Sequence, residues 1–216
     1  MSETVRITDV QTILTAPDGI RLVVVKVLTD QPGLYGLGCA TFTQRAYAVA
    51  EAIDKYLRPF AIGRDVDRIE DLYQAAYVSS YWRSGPVLNN ALSGLDEALW
   101  DIKGKRAGMP VYQLLGGKCR EAVPLYTHAS GQDVSELVEA AQAIMADGFR
   151  YVRVQMAVPG LSTYGGRQAS VSSALDPVQR RTWEPTPYVR MVPGMLEKLR
   201  VELGEDVELL HDVHER

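Results

Sequence analysis

Phe149-Arg150-Tyr151-Val152-Arg153-Val154-Gln155-Met156 is the stretch on which the fold turns. Successive side chains of a strand point to opposite faces. Val152, Val154 and Met156 therefore share an apolar face, and Tyr151, Arg153 and Gln155 a polar one. Gly148 closes the segment before it, Val134–Ala146, in which Leu137, Val138, Ala141, Ile144 and Met145 recur at helical spacing. Residues 123–128 precede that helix as another short strand. A long polar loop follows Met156, with Gly165-Gly166 and serines over 170–173. Residues 188–203 then read as mostly helical, interrupted near Pro193-Gly194, and 207–213 as a further strand. Strand, helix, strand, helix, strand predicts parallel strands joined by right-handed crossovers.

The chain upstream follows a different pattern. Val5, Thr8 and Val10 begin a β run that reaches Leu14, and Pro17-Asp18-Gly19 is a turn signal. Residues 21–28 are dense in valine, Asp30-Gln31-Pro32-Gly33 is a second turn, and 34–40 form a glycine-marked strand. Three short strands joined by tight turns make an antiparallel meander. Helices are predicted over 46–57, ending before Pro59, and over 68–78. The strongest spans 86–105, with Leu88, Leu92, Leu95, Leu99 and Ile102 on one face and Pro86 in the first turn. A short turn of helix over 111–115 stops at Gly116-Gly117. Residues 1–122 are thus expected to form one α+β domain. Residues 123–216 are expected to open an α/β domain that the chain leaves incomplete, because three parallel strands neither close a barrel nor cover their faces.

Composition narrows the function. The 216 residues are 46% hydrophobic and 23% charged with a net charge of −4, which excludes a disordered chain and gives no basic excess for nucleic acid or an anionic membrane. The longest apolar runs are far too short to span a bilayer, and the N-terminus lacks a signal core, so a cytoplasmic protein is expected. Cys39 and Cys119 are too few and too far apart for a zinc site.

Polar residues gather where the parallel strands end. Tyr126 and His128 share one face of the first, Arg153 and Gln155 one face of the second, and Leu210, Asp212 and His214 one face of the third. Active sites of α/β barrels lie at that end. Singly, each residue has a plainer role: a structural histidine, a helix-capping aspartate, a salt-bridged arginine. Together, three adjacent strands with polar ends are hard to explain by packing, because each unsatisfied buried polar group costs ~1–3 kcal/mol.

Several segments carry a resemblance to a known family. They are Gly63-Arg64-Asp65 with Arg68-Ile69-Glu70-Asp71, Tyr81-Trp82-Arg83-Ser84-Gly85-Pro86, and Leu95-Asp96-Glu97-Ala98-Leu99-Trp100-Asp101-Ile102-Lys103. To these are added Leu114-Leu115-Gly116-Gly117, Arg153-Val154-Gln155 with Val158-Pro159-Gly160, and Leu209-Leu210-His211-Asp212-Val213-His214. The chain resembles the enolase superfamily, and within it the mannonate dehydratase-like group of sugar-acid dehydratases. The resemblance implies an α+β capping domain followed by the first three strands of a modified TIM barrel, truncated here. It implies Mg²⁺-assisted removal of the proton α to a sugar-acid carboxylate, then loss of the β-hydroxyl. By the same resemblance Asp212 matches a metal carboxylate and His214 the acid that helps hydroxide leave. Tyr164 with Arg153 matches the base, and His128 and Thr43 match substrate-binding positions. A small-molecule sugar acid is the implied partner, and the intact protein is an implied homo-oligomer.

The types suit the chemistry. A tyrosine acts as base only when its pKa falls from ~10, which a neighbouring arginine favours, and a protonated histidine can donate to a departing hydroxyl. Two departures from the family stand out. The other two acidic metal ligands would come from strands beyond residue 216, so the chain alone is expected to be inert and to bind Mg²⁺ weakly at best. In Cys39-Ala40-Thr41-Phe42-Thr43-Gln44-Arg45, Thr43 aligns where efficient mannonate dehydratases carry asparagine. That departure supports the alternative of a non-catalytic or regulatory homologue that binds a metabolite without turnover.

Overall fold

The computed structural model describes residues 4–156 and 185–213. The chain forms two compact units, Met1–Cys119 and Arg120–Arg216.

In the first unit, β1 (Ile7–Thr15), β2 (Leu22–Thr29) and β3 (Tyr35–Cys39) form the antiparallel meander, in the order β1-β2-β3. The register pairs Val10 with Val27 and Thr12 with Val25 on one side of β2, and Val25 with Gly38 on the other. Val10, Val23, Val25 and Val27 are wholly buried on the inner face. The helices are α1 (Ala46–Ala52), α2 (Arg58–Ala61), α3 (Ile69–Ser79), α4 (Pro86–Ala107) and α5 (Val111–Leu114). Helix α4 starts after Gly85, has Pro86 in its first turn, and ends at Gly108 in the left-handed region (φ 64°). Its Leu92, Leu95, Leu99 and Ile102 fill the core, whereas Leu88, read from the periodicity as a fifth core residue, is 41% exposed in the first turn. Pro59 does not end the preceding helix. A π turn over Ile53–Leu57 carries the chain into α2, Arg58 N–H reaching back to Ile53 O, and this wider turn admits the proline ring.

The glycines of β3 are there for contact. A Cβ on Gly36 would run into the Ala98 carbonyl of α4, and one on Gly38 into that of Gly94. Backbone thus lies on backbone. Helix α4 also seals the strand: the Leu37 and Cys39 amides donate to the Asp101 and Glu97 carboxylates, each at 2.8 Å.

The second unit is β4 (Tyr126–Gly131), α6 (Val134–Ala146), β5 (Tyr151–Met156), α7 (Thr186–Leu203) and β6 (Glu208–Leu210). The strands are parallel in the order β4-β5-β6, as the alternating pattern predicts. Asp133 caps α6 by accepting the Glu136 amide at 3.0 Å. Ala129, Leu137, Ala141, Val152, Val154, Met195, Leu199 and Leu203 make the core between helices and sheet.

Three boundaries differ from the sequence reading. The first parallel strand runs from Tyr126 to Gly131 rather than 123 to 128, which leaves His128 in its middle and not at its end; Pro124 has no amide to pair, and Val123 and Leu125 are exposed. Helix α7 runs unbroken through Pro193. Pro193 and Gly194 face solvent, so the bond the proline forfeits lies on the wet side, while Tyr188, Met195, Leu199 and Leu203 hold the other side to the core. The last strand stops at Leu210, short of 213. Among the described residues no helix is long and apolar enough to cross a membrane.

Candidate active site

The register of β5 sets the site. Arg153 lies beside His128 of β4 on one side and Leu210 of β6 on the other. Asp212, two residues past Leu210, returns to the same face. Arg153 has a donor-only guanidinium fork with two directions to fill. One arm lies 3.0 Å from His128 Nε2, and the other donates to the Asp212 carboxylate. The His128 nitrogen facing Arg153 is therefore an acceptor, which places the proton of the neutral ring on Nδ1. The Tyr126 ring meets His128 edge-on at 5.6 Å. Gln155, 8% exposed, donates to the Asp212 backbone carbonyl at 3.4 Å.

Electrostatics follow from this placement. Partial desolvation first, and then the Arg153 charge, lower the pKa of His128, an exposed residue, from its ordinary 6.5, so the ring is neutral at pH 7. The Arg153 side chain is 16% exposed and that of Asp212 36%, so this ion pair sits at the edge of solvent.

His128, Arg153 and Asp212, singled out on three separate strands, thus form one hydrogen-bonded row. Tyr164 and His214 lie outside the described residues. Thr43 belongs to the first unit, half-buried in a single 3₁₀ turn over Thr43–Arg45. Asp212 is the one carboxylate of the row, and no group of three or more His, Cys, Asp or Glu side chains among the described residues is placed to hold a metal ion. One carboxylate does not meet the octahedral oxygen demand of Mg²⁺.

Two further polar residues escaped the alternation argument. His211 is out of phase with Asp212 and faces the helix layer. Its Nδ1 lies 2.8 Å from the Val154 carbonyl, and its Nε2 is hydrogen-bonded to the Tyr188 hydroxyl of α7. The opposite phase of His211 was visible in the sequence, but the buried tyrosine it meets is remote in the chain.

The meander with its sealing helix, followed by parallel strands that carry one row of polar side chains, defines a class: a capping domain leading into an α/β region of the enolase superfamily. Residues 1–116 match the mandelate racemase / muconate lactonizing enzyme N-terminal domain family, and the chain belongs to that family. It is 54% identical over 222 residues to the D-galactonate dehydratase family member RspA of Pantoea ananatis (strain LMG 20103), a match over 97% of this chain and 53% of that protein. A D-galactonate dehydratase family member of Enterococcus gallinarum (strain EG2) is 52% identical over 216 residues, which are 100% of this chain and 52% of that one. The chain thus spans about half the length of the curated relatives it matches. Among solved structures, an enolase from Pantoea ananatis with bound D-gluconate and Mg superposes with a TM-score of 0.85 at 52% identity, over 98% of this chain and 54% of that one. A muconate cycloisomerase from Pseudomonas fluorescens, 22% identical with a TM-score of 0.73 over 98% of this chain and 52% of that one, shares the fold.

Proposed function

We propose that this chain is the N-terminal part of a sugar-acid dehydratase whose second unit opens a modified TIM barrel. The observation that carries the reading is the row His128–Arg153–Asp212 across three adjacent parallel strands, with His128 and Arg153 each the third residue of its strand and Asp212 two residues past β6. It is joined by kinship to proteins of the D-galactonate dehydratase family and to a structure holding a sugar acid and Mg. The relatives carry the galactonate rather than the mannonate name, so the substrate is proposed as a six-carbon sugar acid, with D-mannonate, D-gluconate and D-galactonate as candidates.

In this reading Tyr164 takes the α-proton as phenolate, and Arg153 is the cation that favours the phenolate. His214 donates a proton to the departing β-hydroxyl, and water leaves. The resulting enol tautomerises to a 2-keto-3-deoxy acid. His128, held neutral, accepts from or donates to a substrate hydroxyl, and Thr43 of the first unit contacts substrate. Asp212 would be one ligand of Mg²⁺, with further ligands from beyond this chain. The ion, when bound, would offset negative charge gathering on the substrate carboxylate.

The test uses the full-length protein that contains this chain, with each of the three sugar acids in deuterium oxide. Formation of the keto-deoxy acid, with exchange at the α-carbon, is expected. Tyr164→Phe is expected to lower both by about 10²–10⁴. Exchange at the parent rate in that variant removes Tyr164 as the base. Binding of a sugar acid with neither exchange nor product would instead establish the metabolite-binding alternative that Thr43 supports.

A further inference from the structure

The contacts of His211 assign a role to Tyr188. The β5–β6 ladder runs from the Arg150 carbonyl to the Glu208 amide at 2.7 Å and advances two residues at a time, so the Val154 carbonyl stands in line for the Asp212 amide. The His211 side chain reaches that carbonyl from Nδ1 at 2.8 Å, and the strand ends at Leu210. A carbonyl only accepts, so Nδ1 carries the proton, and Nε2 is left to accept the Tyr188 hydroxyl. Tyr188 is 7% exposed, and its ring stacks on the imidazole at 5.8 Å and 21°. A buried phenol needs a hydrogen-bond partner, so the arrangement is self-consistent.

We infer that Tyr188, acting through His211, is a positioning residue that fixes the Asp212 carboxylate against Arg153. Residues 211 and 212 are neighbours drawn in opposite directions. His211 is held by helix α7 and Val154, whereas Asp212 is held by Arg153 at its carboxylate and by Gln155 at its carbonyl. With the strand ladder finished, side chains set the backbone torsion between them. Loss of the Tyr188 hydroxyl frees the imidazole to change tautomer or turn, and the freedom passes to Asp212 one bond along the chain. The inference deepens the proposed function, resting on it for the use of Asp212 as a cation ligand. The positioning itself is a property of this chain.

The experiment is nitrogen-15 NMR of the 216-residue chain. In the parent, His211 is expected as the Nδ1–H tautomer, and the Arg153 guanidinium protons as slowly exchanging. Tyr188→Phe keeps the stacked ring and removes one oxygen. It is expected to mix the His211 tautomers and to speed Arg153 guanidinium exchange about fivefold or more. His211→Asn keeps a donor near Val154, but its shorter side chain does not bring an acceptor to the place of Nε2 beside Tyr188. It is expected to act in the same direction, and it serves if the phenylalanine variant fails to fold. Leu199→Ala, a core truncation on the same helix, is the control for a merely structural role. Compared at equal stability, it is expected to leave Arg153 exchange within about twofold of the parent. An Nε2–H tautomer in the parent overturns the inference. So does an altered tautomer in Tyr188→Phe with Arg153 exchange unchanged, or an equal effect from Leu199→Ala. Mg²⁺ binding by the full-length protein that survives Asp212→Asn would instead refute the functional reading and leave the positioning intact.

Discussion

Arg153 serves His128 and Asp212 at once, and its charge bears on how His128 responds to pH. Because His128 is held below its usual value of 6.5, the folded chain binds fewer protons there than the unfolded chain as pH falls through that value. The stability it contributes is complete above the usual histidine range and declines as the solution is acidified toward the lowered value. His128→Gln, which keeps an acceptor for Arg153, is expected to flatten the dependence of urea midpoint on pH between about 7 and 5. A slope unchanged from the parent would mean that His128 is not perturbed. Asp67 behaves in the opposite sense. Burial alone would raise its carboxyl, but hydrogen bonds and charge from Lys103 and Arg106 outweigh that and hold it low. Its contribution is present at neutral pH and fades in acid, below the histidine window. The row of three residues was legible because strand alternation places Arg153 and Asp212 in phase on neighbouring strands. The Tyr188–His211 pair was not, because a contact between a helix start and a strand end has no periodic signature.

The elements themselves were read from period and punctuation, and they departed from prediction where burial overrode a local signal. Pro193 breaks a helix in isolation, yet α7 continues because its opposite face is anchored by Met195, Leu199 and Leu203. Leu88 kept the helical spacing but fell in a first turn with nothing above it. The glycines of β3 were seen only as a mark on a strand, since sequence does not show that α4 lies against them. They allow a direct test. Gly38→Ala would drive a methyl group into the Gly94 carbonyl and within 3.0 Å of the Glu97 Cβ. It is expected to cost about 3 kcal/mol, near the upper end for overpacking, in urea unfolding. A loss under about 1 kcal/mol would show that α4 shifts outward without resistance.

Each of the two units has its own core, one built around Leu95, Leu99 and Ile102 and the other around Leu137, Val154 and Leu199. Leu99→Ala and Leu199→Ala are each expected to cost about 2–5 kcal/mol, since both side chains are fully buried. Amide exchange should locate each loss within residues 1–119 or 120–216, respectively. Loss of protection across both units from either variant would show that they unfold as one. The contacts of Glu97 and Asp101 with the β3 amides have a consequence at this scale too. A strand margin with bare amides is a template on which a second polypeptide can crystallise into ordered fibrils. Here that margin is already occupied by two negative charges from the chain's own helix. An incoming segment must displace both carboxylates to pair with these amides, so fibril growth from this flank of the meander is disfavoured.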